Sequence, residues 1–312
     1  MKQTEYHISI EQDEKTAIDW LANAMIKENL SQSLPHPLSR NALKDIMQKG
    51  CVWIETQDAQ GQRFTQRLRR AKKVLKKDDM LHCYYDEKVL NTQPPIATLI
   101  SDEGAYSIWN KPAGMLSQGS KWGDHCTIYR WAEKHLQPER AAFIVHRLDR
   151  AASGLIILAH KKQVASQFSV MFQQRLIKKH YHVHVKGDFS ALLPKGKNQL
   201  TVNNELDGKS AISHFSLINY SENDDSSQLE VTIETGRKHQ IRKHLMGLNY
   251  PVMGDRLYGV SPHHISANNN EKKLESSPKK INEALQLLAT TLSFECPISQ
   301  QQKVYTIDIG QC

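Results

Sequence analysis

Residues 143–154 read FIVHRLDRAASG, and the fold turns on how this stretch is taken. Phe143, Ile144 and Val145 form a β-branched and aromatic run of the kind buried in a sheet, and Leu155-Ile156-Ile157-Leu158-Ala159 is a second. Ser153-Gly154 between them is turn chemistry, so Asp149 is expected on a loop joining two core strands. It stands between Arg147 and Arg150, whose positive charge favours its ionised form. Arg-Leu-Asp-Arg alone reads more readily as a structural ion pair than as a reactive carboxylate, and the choice between them needs the rest of the chain.

The 312 residues are 39% hydrophobic with no apolar run long enough to span a bilayer, which points to a soluble chain of two or three modest domains and away from a membrane partner. The opening MKQTEYHISIEQDEK is polar and mixed in charge, so a cytoplasmic location is expected. Cys51, Cys83, Cys126, Cys296 and Cys312 are scattered with no CxxC pair, which supports neither a disulfide framework nor a zinc cage. A net charge of +8 implies an anionic partner, nucleic acid first. Neither GxxxxGK nor GxGxxG occurs, so no nucleotide cofactor is expected.

Over residues 16–30, Ile18, Leu21, Met25 and Ile26 fall on one helical face. SQSLPHP interrupts the chain, and Ser39 can cap a second helix in which Leu43, Ile46 and Met47 point inward before a stop at Gly50. Its outer face carries Arg40 and Lys44. A β-run over 51–54 leads to a segment with eight basic residues and no acidic one (Arg63, Arg67, Arg69, Arg70, Lys72, Lys73, Lys76, Lys77), and residues 78–86 read as a further strand. Most such charge runs are solvated faces, but here helix and strand charges share one small module and could follow a phosphate backbone. Asn91 to Ser101, with Pro94-Pro95, reads as a linker.

From residue 102 the composition is that of a mixed α/β domain. Ala105 to Trp109 is strand-like and NKPAGMLSQ (110–118) is a Pro/Gly turn. Val164, Phe168, Met171 and Phe172 recur at helical spacing over 161–175. In KKHYHVHVKG, Tyr181, Val183 and Val185 alternate with His180, His182 and His184. Without accompanying carboxylates or cysteines these histidines are read as the solvated face of an edge strand, with no metal expected. Residues 207–216 suggest an edge or hairpin strand, and Leu229, Val231 and Ile233 alternate through another. Thr235-Gly236 turns the chain into a helix burying Ile241, Leu245 and Leu248, with Arg237, Lys238, Arg242 and Lys243 directed elsewhere. Its basic N-terminus suits phosphate. The polar stretch 261–280 is expected to be a mobile surface loop.

Taken as strings, these segments resemble the motifs of the RluA-type RNA pseudouridine synthases. HRLDRAASG is similar to that family's active-site signature, HRLD, two variable residues and Thr-Ser-Gly, with Ala152 replacing the threonine. NKPAG resembles its first motif, Tyr181 matches the tyrosine of Lys/Arg-x-Tyr, and GRKHQIRKHL with PVMGDRLYG resembles its third motif. Lys238 stands where the family often has Thr or Ser, and Leu288, in the segment resembling the terminal strands, where it usually has His. The likeness covers about residues 102–310. It implies an α+β fold over 102–312, with a mostly antiparallel mixed sheet flanked by helices, and isomerisation of uridine to pseudouridine. That reaction leaves the composition unchanged and needs no cofactor. Asp149 would act as nucleophile at ribose carbon 1′ or as base on a sugar proton, Arg242 would pair with it, and Tyr181 would stack near the base and help move the carbon 5 proton. The nucleotide would be flipped out, with Arg147 and Arg150 on phosphate or between strands and Arg237 and Lys238 as further RNA contacts. Residues 1–90 resemble the small RNA-binding domain named after ribosomal small-subunit protein four, with Arg40, Lys44, Arg69 and Arg70 toward RNA and 91–101 as linker. Large-subunit ribosomal RNA is the favoured substrate, transfer RNA the alternative, and a monomer the default. The competing readings are a noncatalytic RNA-binding protein of this fold and a metal-dependent nuclease using the histidines.

Overall fold

Packing in the computed structural model, which describes residues 3–13, 15–27, 38–259 and 284–309, divides the chain into two units, Met1–Pro94 with Gln118–Lys134 and Pro95–Ser117 with His135–Cys312. The division at Pro94-Pro95 falls inside the stretch read as a linker. Thr98 to Ser101 of that stretch is nonetheless strand, and residues 118–134, read as part of the second domain, pack with the first. The stretches 31–37 and 261–280 lie outside the described residues.

The first unit contains β1 (Thr4–Ser9), α1 (Ala17–Lys27), α2 (Arg40–Gln48), β2 (Val52–Gln57), β3 (Arg63–Arg67), β4 (Met80–Tyr85), the single turn α3 (Glu87–Leu90) and most of α4 (Ile128–His135). Its antiparallel sheet runs β1-β4-β2-β3. The apolar faces read from the sequence are the ones buried: Leu21, Met25, Leu43, Ile46 and Met47 share a core with Val52, Ile54 and Leu81. Ser39 Oγ accepts the Ala42 N–H at 3.2 Å, satisfying one of the unpaired donors at the start of α2. The helix stops at Gly50, φ +80°, where a Cβ would stand 2.4 Å from Asp124 Oδ1. Asp124 explains why 118–134 joins this unit. Its fully buried carboxylate receives Arg67 Nε at 3.2 Å and is also bonded by Arg69 and the Tyr129 hydroxyl.

The second unit contains β5 (Thr98–Asp102), β6 (Tyr106–Lys111), β7 (Phe143–Ile144), β8 (Ser153–Ala159), α5 (Lys162–Gln173), β9 (Lys178–Lys186), β10 (Gln199–Leu206), β11 (Lys209–Ser221), β12 (Ser226–Ile233), α6 (Gln240–Gly247), β13 (Leu287–Glu295) and β14 (Gln302–Thr306). Its ten-stranded sheet runs β10-β11-β12-β9-β13-β8-β6-β5, with β14 beside β13 and β7 beside β8. Every pairing is antiparallel except β13 with β8. Buried along Gly154 to Ala159, β8 is apolar throughout, as a strand covered on both faces must be. On one face α5 packs Val164, Phe168 and Met171 with Ile108, Leu155 and Ile157. A fully buried Phe such as Phe168 contributes about 1.5–3 kcal/mol of burial.

Two expectations are corrected here and one open alternative is settled. Ser153-Gly154 is the start of β8 and not a turn. Gly154 pairs with Ala289, and a Cβ there would lie 2.3 Å from Ala289 O, so the glycine admits β13 at close range. β9 is no edge strand, because β13 returns from the C-terminal region to lie beside it. His182 is consequently buried, and His180 meets Glu230 at 3.0 Å. Of the two possibilities left open for 207–216, the hairpin is the one found, with the polar strand β10 as its edge partner.

Candidate active site

The loop between β7 and β8 is built largely by the Pro/Gly turn that follows β6. Lys111 is fully buried, and its Nζ donates to Ala152 O at 2.6 Å and to Pro112 O and Met115 O at 3.0 Å. Ser117 Oγ donates to Leu148 O at 2.7 Å and accepts the Leu148 N–H at 3.0 Å. Gly114 N–H reaches Arg150 O at 2.7 Å, and Arg150 Nε returns a bond to Gly114 O at 3.1 Å. Residues 111–117 therefore clasp 148–152 through the Lys111 and Ser117 side chains and the Gly114 backbone, meeting mainly backbone groups of the loop. Ala152 lacks a hydroxyl, but its carbonyl is the Lys111 acceptor, so the loop is tied without one. Burial pulls the Lys111 ammonium down to about 7, with Asp149 acting in the opposite sense. Three carbonyl acceptors use all three ammonium N–H groups, so the full clasp needs the charged form.

At the tip, Asp149 is about one quarter exposed. Arg242 Nη1 donates to its Oδ2 at 3.1 Å, and His239 Nε2 lies 3.8 Å from its Oδ1. Arg242 comes from α6 and is buried, so of the four basic residues expected to point away from the core this one turns inward. It can do so because Asp255, in the PVMGDRLYG string, takes Nε and Nη2 at 2.7 Å each in a bidentate pair. Asp255 is fixed in turn by the N–H groups of Leu257 at 2.9 Å and Tyr258 at 3.0 Å, and the Tyr258 ring lies 5.0 Å from the guanidinium carbon. Burial opposes the Arg242 charge, but hydrogen bonds to Asp255 and Asp149 outweigh it and raise its pKa above the ordinary value. A rigid, charged donor is thus delivered to one oxygen of Asp149.

Tyr181 projects from β9 into the cleft that Asp149 and Arg242 line, together with Arg147, Lys179 and His239. The tyrosine is buried; burial and the Asp149 charge raise its phenol pKa, keeping it neutral and able to donate. Counting the space open to solvent, the cleft spans about 500 Å³. Behind the loop, His146 Nε2 accepts the Ile157 N–H at 2.9 Å, and burial pulls this histidine down to about 3. Among the described residues no three His, Cys, Asp or Glu side chains are grouped to hold a metal ion.

A family profile described as RNA pseudouridylate synthase matches residues 105–246, which span the clasp, Asp149, Tyr181 and Arg242. The tRNA pseudouridine synthase C of Yersinia pestis is 32% identical over 190 residues, 52% of this chain and 69% of that protein. The chain belongs to the RNA pseudouridylate synthase family. Ribosomal large subunit pseudouridine synthase D of Nitrosomonas europaea is 29% identical over 261 residues, 79% of this chain and 72% of the relative. The solved structure of human RNA Pseudouridylate Synthase Domain Containing 1 shares the fold, with a TM-score of 0.51 at 17% identity over 70% of this chain and 86% of that one. This pseudouridine synthase is thus an RNA-modifying isomerase with the α+β fold of its family, a large and mostly antiparallel mixed sheet with few helices.

The basic residues singled out from the sequence have different fates in this synthase. Asp149 pairs with neither Arg147 nor Arg150; its cation is Arg242, 93 residues further on. Arg147 and Arg150 are exposed, Arg237 Nε donates to Ser210 O at 2.9 Å, and Lys238 is exposed beside it. In the first unit Lys44 and Arg70 are exposed and Arg40 pairs with Asp19 on the surface, whereas Arg69 is engaged by Asp124 and by Gln48 O. Lys111, Ser117, His239 and Asp255 were not singled out for chemistry. Asp255, thirteen residues after Arg242, had a legible signal in a lone carboxylate before a turn, but nothing local shows that it meets the arginine.

Proposed function

We propose that this synthase isomerises specific uridines in structured RNA, most directly large-subunit ribosomal RNA, with Asp149 as the carboxylate acting at the sugar. What carries this reading is the one-sided setting of Asp149. A buried guanidinium holds one oxygen, while the side chain opens onto the cleft that Tyr181 also lines. The reaction breaks the bond from uracil N1 to ribose C1′ and remakes it from C5. Asp149 either attacks C1′ or takes a sugar proton, and in both routes the electron pair of the broken bond leaves with the uracil. The detached base turns in the cleft, C5 bonds to C1′, and the C5 proton is lost as N1 gains one. Tyr181 stacks near the base and relays that proton through its hydroxyl. The target atoms are inaccessible in a stacked helix, so the nucleotide enters flipped out.

Arg147, Arg150, Arg237 and Lys238 surround the loop and the start of α6 and are the RNA contacts of the catalytic unit. Arg40, Lys44 and Arg70 present charge on the first unit, which we read as an RNA-binding module resembling the ribosomal-protein-four domain. Arg69 holds Asp124 and serves that module from within. Relatives named for the ribosomal large subunit align with 52–79% of this chain and those named for tRNA with 52–65%, so the ribosomal reading rests on the longest of these alignments. We read the enzyme as a cytoplasmic monomer that needs no cofactor. The test is pseudouridine mapping by carbodiimide labelling and reverse transcription on total RNA from cells with and without the chain. Loss of one stop in large-subunit ribosomal RNA is expected. Loss confined to transfer RNA would replace the substrate, and an unchanged map would sink the reading.

A further inference from the structure

Lys179 lies two residues before Tyr181 on β9, so both side chains stand on one face of the strand. Both line the cleft that holds Asp149. The other cations around this loop are matched: Arg242 by Asp149 and Asp255, Lys111 by three carbonyls, Arg237 by Ser210 O. Arg147 opens to solvent. Lys179 is only partly exposed, and among the described residues no carboxylate or carbonyl is bonded to its Nζ. Its neighbours include the Phe172 ring, Gly236 and His146, whose charged form the ammonium disfavours. The Phe172 ring centroid is 5.6 Å from Nζ, and a Cβ on Gly236 would lie 4.0 Å from it. Withdrawing an ammonium from water without a counter-charge is unfavourable, and a ligand that brings negative charge relieves the penalty.

Resting on the assignment of Asp149 above, we propose that Lys179 is a further catalytic residue, donating from its ammonium to a ring carbonyl oxygen of the uracil once the glycosidic bond has broken. When N1–C1′ cleaves, the electron pair on N1 spreads to O2 and O4. The ammonium stabilises that charge without giving up its proton. The ring then uses the pair to form C5–C1′ as Asp149 is released or its abstracted proton is returned, which leaves the ring neutral, and transfer of the C5 proton to N1 restores its conjugation. A fixed donor aimed at charge that develops only along the reaction accelerates the step and leaves ground-state binding unchanged.

Burial pulls Lys179 down to about 8, so it is charged at neutral pH and loses the charge just above. The groups facing it behave otherwise. Burial lowers His146 and His239, burial raises Tyr181, and hydrogen bonds to Asp255 and Asp149 hold Arg242 above its ordinary value against burial; Asp149, Arg147 and Arg237 also line the cleft. Rates should therefore fall as pH rises through about 8, the sign expected of a required cation.

The test is single-turnover conversion by the full chain in excess over total RNA from cells lacking it, read at the chain-dependent site. Lys179→Met should slow conversion by about 10²–10³-fold with RNA affinity within about threefold of wild type. Lys179→Arg should retain at least about a tenth of the rate and lose the fall near pH 8. A Lys179→Met rate within about threefold of wild type overturns the proposal. So does a rate that rises through pH 8, which would make the amine a base, or a fall that persists in Lys179→Arg, which would belong to Lys111. If Lys179→Met fails to fold, the wild-type and Lys179→Arg profiles decide alone. Asp149→Asn run alongside separates the two claims. An active Asp149→Asn overturns the site itself, whereas an inactive Asp149→Asn beside a wild-type-like Lys179→Met overturns Lys179 only.

Discussion

Two arginine–carboxylate clusters in this chain differ in what they leave open. In the first unit, Asp124 is fully buried and its Oδ2 collects Arg67, Arg69 and Tyr129, so no part of the carboxylate is presented to a ligand. In the second, the buried position belongs to the arginine. Arg242 is covered, Asp255 balances it, and Asp149 is bonded on one side only with about a quarter of its side chain exposed. A carboxylate enclosed by cations holds a structure together. One that is oriented by a buried cation and still reachable can act on a substrate, and the difference lies in which partner is buried rather than in the residues present.

That comparison can be broken most severely at Asp149. Asp149→Asn should reduce conversion by about 10⁴-fold or more, with a urea midpoint close to wild type because the side chain is partly solvated. A large stability loss with residual turnover would make it a structural residue like Asp124. Arg242→Met should act in both ways. It leaves Asp255 buried without its partner, costing about 3–5 kcal/mol, and frees Asp149 to swing, slowing single-turnover conversion by about 10²–10³-fold. Stability lost without any change in rate would separate Arg242 from the chemistry. Asp124→Ala should cost about 3–5 kcal/mol in denaturant unfolding while the rate at saturating RNA stays within about threefold. A collapse in rate at full stability would contradict the distinction. The smallest effect is expected of Ala152→Thr. The position is buried and its carbonyl already serves Lys111, so the added hydroxyl should change stability by about 1 kcal/mol and the rate by less than about threefold.

Periodicity gave the helices α1, α2, α5 and α6, the Ser39 cap and the alternating strands, because those follow from local geometry. It missed β10, whose residues are largely polar and exposed, and β1, although Tyr6 and Ile8 alternate into the core. Long-range returns were equally invisible. An alternating strand reads the same at an edge as beside β13, which is why the β9 histidines were taken as solvated. Within the site, Asp149, Tyr181 and Arg242 were legible through motif resemblance, and the structure brings all three to one cleft. Lys111 and Ser117 were not, since a lysine before a proline and a serine after a turn carry no local sign that they bind a loop thirty to forty residues away. The pairing of one first-unit charge was hidden for a related reason. Arg69 is basic in any linear count, and only the arrival of Asp124 turns it into a structural partner.

The most direct test of the account is in vitro conversion of RNA from cells lacking this chain, by purified wild-type protein and by Asp149→Asn at matched RNA occupancy, with pseudouridine mapped at single-nucleotide resolution. The account predicts that wild type restores the missing pseudouridine while Asp149→Asn binds the same RNA and leaves the uridine unchanged. Equal restoration by both proteins would contradict it.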